Sequence, residues 1–80
     1  MTRRALHGLP RPAAAAFRRN VTLARAGEAS PELAAAFEAV GVTNFMRPSV
    51  TVFDDVADVL PLMRAGERTE VEAALFGGLQ

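Results

Sequence analysis

Pro48-Ser49-Val50-Thr51-Val52-Phe53-Asp54-Asp55-Val56 is the stretch whose reading decides the fold of this 80-residue chain. Val50, Thr51 and Val52 are β-branched in succession, and with Phe53 they predict a short strand over 49–53, bounded by Pro48 and Asp54. Asp54 then predicts the cap of a helix whose Val56, Val59, Leu60 and Met63 share one face, until Ala65-Gly66 ends it. Pro61 lies inside that helix and cannot donate to the carbonyl of Ala57, so a kink or two short helical pieces are expected.

Downstream, Thr69-Glu70-Val71-Glu72 matches a capping box, with Val71, Ala74 and Leu75 as an apolar stripe that Gly77-Gly78 terminates. Upstream, Ser30-Pro31-Glu32 is a helix start with a capping hydroxyl, a proline at the first helical position and a carboxylate near the positive helix end. Leu33, Ala36, Phe37 and Val40 follow at helical spacing, and Gly41 is a stop that tolerates positive φ. Before it, Val21 to Ala26 reads as a second short strand, and Pro12 opens a short helix over 13–19 that Asn20 ends. The expected fold class is therefore α+β: a small single domain of three to four short helices with two short strands. Residues 1–20 form a basic N-terminal arm with a short helix, and residues 21–80 the α+β domain.

Eighty residues hold one domain at most, which excludes a multidomain enzyme. Of the 40 apolar residues 16 are Ala, so 8 Val, 8 Leu, 5 Phe and 3 Met must fill the core. Such a core is thin, and a partner is expected to support it. No Cys is present, which removes disulfide scaffolds and thiolate metal sites. No run free of charge, Pro and Gly approaches the roughly 20 residues needed to span a bilayer. The expected setting is intracellular and reducing, a bacterial cytoplasm or the matrix side of a mitochondrion.

The formal net charge is zero, yet it divides sharply. Residues 1–25 carry Arg3, Arg4, Arg11, Arg18, Arg19 and Arg25 with no acid, whereas 26–80 carry Arg47, Arg64 and Arg68 against all nine carboxylates. Three readings of the basic part stand side by side. It is Arg-rich, acid-free and Ala-rich as organelle transit peptides are, although Ser-poor and interrupted by Pro10 and Pro12. It is suited to contact nucleic-acid phosphates, without Tyr or Trp for base stacking. Or it is a terminal segment that is solvated or bound to a partner, with no chemistry of its own. Ala13 to Phe17 is too short and weakly apolar for a secretory signal.

Candidate chemistry is sparse. Asp54-Asp55-Val56-Ala57-Asp58 resembles, over five residues, the aspartate-rich motif of prenyl-diphosphate and terpene synthases, which implies shared coordination of a divalent cation. Those enzymes need a large helical cavity and a second acidic motif, and three acids in a first helical turn are also what a helix dipole favours. His7, the one histidine, has no second ligand to complete a metal site, and neither Ser30 nor Ser49 has another base for a triad. Gly77-Gly78 follows a helix and is no phosphate loop. No catalytic residue, cofactor, metal or small-molecule substrate is assigned.

Two resemblances extend further. Val50 to Phe53, a helix from Asp54, a turn at Gly66 and a second helix with Thr69 at its start resemble a ribbon-helix-helix domain over 49–79. That resemblance implies a small dimeric DNA-binding regulator of antitoxin type, with Thr51 the outward polar position on the strand. Pro61 and the acidity of the segment depart from the family. Ser30-Pro31-Glu32-Leu33, Arg47-Pro48-Ser49-Val50-Thr51-Val52-Phe53, Asp55-Val56-Ala57-Asp58-Val59-Leu60 and Leu62-Met63-Arg64-Ala65-Gly66-Glu67 look like the C-terminal scaffold of medium-chain zinc-type dehydrogenases, over 30–67. There the segment runs helix, strand, helix around a nucleotide-binding core. This chain lacks the Gly-rich cofactor turn and the Cys and His ligands, so no dehydrogenase activity is implied.

The expected function is a non-catalytic accessory or interaction subunit that docks on a larger protein assembly, a second copy or another anionic partner, nucleic acid included. Arg3, Arg4, Arg11, Arg18 and Arg19 are the candidate contacts, with Phe17 as an apolar anchor.

Overall fold

The alanine run 13–16, flanked by the two prolines around Arg11, starts a helix that does not stop at Asn20. In the computed structural model, which describes residues 9–77, this first helix α1 spans Arg11–Arg25. Alanine is the strongest helix former, and Pro12 falls in the first turn, where its missing N–H has no partner to lose. Ala14, Phe17 and Val21, at i, i+3 and i+7, are all buried, so one apolar stripe runs past Asn20. The segment 21–26, expected as a strand, is thus the end of α1, and the boundary drawn between residues 20 and 21 falls inside that helix.

Helix α1 stops at Gly27, whose φ of 74° is the left-handed conformation a side chain would resist. The Glu28 N–H donates to Leu23 O (2.8 Å) and the Gly27 N–H to Ala24 O (3.1 Å), the two crossed bonds of a Schellman motif. Helix α2, Pro31–Ala39, begins as expected, with Ser30 Oγ accepting from the Leu33 N–H at 3.1 Å. It stops the same way as α1. Gly41 has φ 74°, Val42 N–H donates to Phe37 O (3.0 Å), and Val42 turns into the core.

The decisive stretch is helical. Helix α3 runs Ser49–Val59, its first turn closed by the Thr51 and Val52 N–H groups on Pro48 O at 3.0 and 3.1 Å. The strand expected over 49–53 is therefore corrected, and the cap expected at Asp54 with it, because Asp54 and Asp58 lie within the helix. Burial explains the outcome. Val52, Phe53, Val56 and Leu60 form a single stripe at i, i+1, i+4 and i+8 and all enter the core, whereas a strand would turn the adjacent Val52 and Phe53 to opposite faces. Propensity for strand is a weak preference that such packing overrides. Pro61 interrupts the segment as anticipated: α3 stops at Val59, short of the end expected at Ala65-Gly66, and the chain passes through one 3₁₀ turn, Leu60–Leu62.

Helix α4, Ala65–Phe76, starts one turn before the expected capping box. Thr69 Oγ1 donates back to Ala65 O at 2.9 Å and Glu72 pairs with Arg68 at 2.9 Å, so neither residue caps. Gly66 sits in this first turn instead of ending the helix before it, whereas Gly77 follows the last residue as expected.

The described residues thus form four helices and no strand, an all-α domain instead of the α+β fold read from the sequence. The strand shared by both the ribbon-helix-helix and the dehydrogenase outlines is the first half of α3. Helix α4 packs on α2 and on α1, and α1 packs also on α3. At the centre Phe17 meets Phe53 edge-on (5.5 Å, 84°), Phe76 (5.5 Å) and Phe37 (6.2 Å), and Phe45 closes on Phe37 at 4.8 Å. All five phenylalanines of the chain join in one cluster, which concentrates the little bulk available. Buried Ala14, Ala16 and Ala36 supply the small contacts that let helices approach closely.

Candidate interaction surface

With its apolar stripe turned inward, α1 presents an outer face on which Arg11, Ala15, Arg18 and Thr22 are exposed. Seven residues are just short of two helical turns, so Arg11, Arg18 and Arg25 point in nearly one direction, about 10 Å apart. Helix α1 holds four arginines and no acid, and the first carboxylate after it is Glu28. The other helices are acidic: Glu32 and Glu38 on α2, Asp54, Asp55 and Asp58 on α3, and Glu67, Glu70 and Glu72 with Arg68 on α4. The charge division of the sequence becomes a division between faces.

These arginines do different work. Arg25 Nε donates to Phe45 O and its Nη2 to Arg47 O, both at 2.7 Å, strapping the loop 40–48 to the end of α1. Arg47 carries the strap onward, with Nη1 on Asp55 Oδ2 at 2.6 Å. Arg19 borders a depression shared with Glu28, Glu32 and Ala73. Arg11 and Arg18 define the open part of the face.

Of the residues proposed as contacts, Arg11, Arg18 and Arg19 are exposed on α1, and Arg3 and Arg4 lie outside the described residues, as does His7. Phe17 is 0% exposed, so in this fold it anchors the core and offers nothing to a partner. The aspartate motif is not assembled as a cation site: Asp55 is committed to Arg47, Asp54 is half-buried, and among the described residues no group of three or more His, Cys, Asp or Glu is placed to hold a metal. Ser30 is engaged as a helix cap. No helix among the described residues is long and apolar enough to cross a membrane.

Sequence reasoning missed a second surface, a shallow groove of about 350 Å³ between α2 and α4. Ala35, Ala39 and Ala74 contribute to its floor, and Glu32, Glu67 and Glu70 to its rim. The signal was present in the spacing, because Glu32, Ala35 and Ala39 share one face of a helix, as do Glu67, Glu70 and Ala74. Pairing those two faces required knowing that α2 and α4 touch. Comparisons with protein families, curated proteins and solved structures give no match.

Proposed function

We propose that this protein is a non-catalytic interaction module whose α1 face docks on an acidic protein surface. The observation that carries the reading is the outer face of α1, where exposed Arg11 and Arg18 alternate with small Ala15 and Thr22 on a helix without acids. Arginine is the suited cation for this task, since its planar fork meets carboxylates bidentately and gives up its hydration more readily than an ammonium. The small residues between the arginines let a partner approach the backbone closely. The phenylalanines are gathered in the core, so the face holds no aromatic ring on which a base could stack.

The test is co-purification of tagged full chain beside the R11A/R18A variant, with helicity followed by circular dichroism and a parallel nuclease digestion. Loss of the same protein partner from a variant that keeps its helicity supports the reading. Retention of that partner overturns it, and so does an association that nuclease abolishes, which would assign the face to phosphates.

A further inference from the structure

The α1 face and the α2/α4 groove are opposite in charge and alike in relief. Arginines flank small residues on the first, and glutamates flank small residues on the second. No α1 residue lines the groove, so the arginines of one copy do not close the groove of the same copy. We infer that the groove receives the α1 face of a second copy of this chain, in a head-to-tail contact. The inference rests on the reading of α1 as a docking face and names one partner for it.

Small residues on both sides let the two surfaces approach closely, bringing Arg11 and Arg18 to the level of the rim carboxylates of Glu32, Glu67 and Glu70. Neither surface is self-complementary, since one is basic and the other acidic. A two-fold axis through either surface would oppose like charges, whereas contact of the α1 face with the groove pairs opposite ones. A single such contact leaves one α1 face and one groove open, so further copies add as concentration rises, into an open chain or into a ring where the rotation closes. The contact is mostly electrostatic and shallow, which makes it reversible and sensitive to salt.

Sedimentation velocity of the full chain tests this at about 10 mM and about 1 M salt, where the screening length falls from about 30 Å to about 3 Å. Wild type should show a mass that rises with concentration at low salt and association at least tenfold weaker at high salt. R11E/R18E alone and E67R/E70R alone should each be monomeric, because each carries two surfaces of one sign. Mixed in equal amounts the two variants should associate again, a rescue that misfolding of either would prevent. A wild type that stays monomeric at low salt, or association surviving in either variant alone, overturns the inference. If wild type is monomeric while R11A/R18A still loses its acidic partner, the second-copy inference alone fails. If R11A/R18A keeps that partner, the docking face itself fails.

Discussion

Replacing Phe17 by Ala separates a detachable basic arm from a helix built into the core. Phe17 is completely buried, with three phenylalanine rings around it on α2, α3 and α4. Truncation of such a ring costs about 3 to 5 kcal/mol through lost transfer energy and the cavity left behind. A domain of this length has about 4 to 12 kcal/mol in total. Phe17→Ala should therefore remove about a quarter of the stability at the least and, toward the other end of these ranges, unfold the chain at 25 °C. Urea titration followed by circular dichroism at 222 nm reads this directly. With a slope of about 1 kcal/mol/M, the midpoint should fall by about 3 M or more, or the folded baseline should disappear. Arg18→Ala, one residue along and exposed, is the matched control and should change stability by less than about 0.5 kcal/mol. A Phe17→Ala protein within about 1 kcal/mol of wild type would refute the packing described, and α1 would be an appendage.

Asn20 is buried, and its Nδ2 donates to the carbonyls of Leu75 (2.9 Å) and Ala74 (3.3 Å) at the end of α4. Asn20→Ala should cost about 1 to 3 kcal/mol, with hydrogen exchange at the last turn of α4 rising more than at its first. Arg25→Lys keeps the charge but loses the planar fork that reaches two carbonyls, so limited proteolysis should cut the loop 40–48 faster while the midpoint in urea moves little. Gly41→Ala meets no obstructing atom but must hold φ at 74°, which should cost about 1 to 2 kcal/mol by thermal melting; an unchanged melting temperature would contradict the Schellman termination of α2.

Helix α2 was legible because all its punctuation is local: Ser30 caps, Pro31 opens and Gly41 closes within one short window. The break at Pro61 was legible for the same reason, whereas the helix end expected at Ala65-Gly66 is where α4 begins. The start of α3 was not, because Val50, Thr51 and Val52 satisfy a strand locally and become helical only when Val52, Phe53, Val56 and Leu60 are buried together. The helical spacing that begins at Val52 was visible, yet its weight depends on a core that the segment alone does not display. Asn20 shows the limit most clearly. An asparagine after an alanine run looks like a helix end, and the carbonyls that hold it inside α1 lie 54 and 55 residues away. For the site, the clustering of arginines toward the N-terminus was legible, and their division into open (Arg11, Arg18) and strapping (Arg25) positions was not.

The contact between α1 and α4 also bears on how the molecule comes into being. Phe17 meets Phe76, and Asn20 meets Leu75, so α1 and α4 must find each other across 55 residues at the Asn20 contact. During synthesis α1, α2 and α3 emerge with Phe17 and Phe37 already made but α4 still missing, and the apolar faces that α4 covers remain wet. The domain therefore closes only once α4 has been made, in one step that encloses the long loop between α1 and α4. A nascent chain stalled before α4 would leave the apolar faces of α1, α2 and α3 exposed until residues 65–76 arrive.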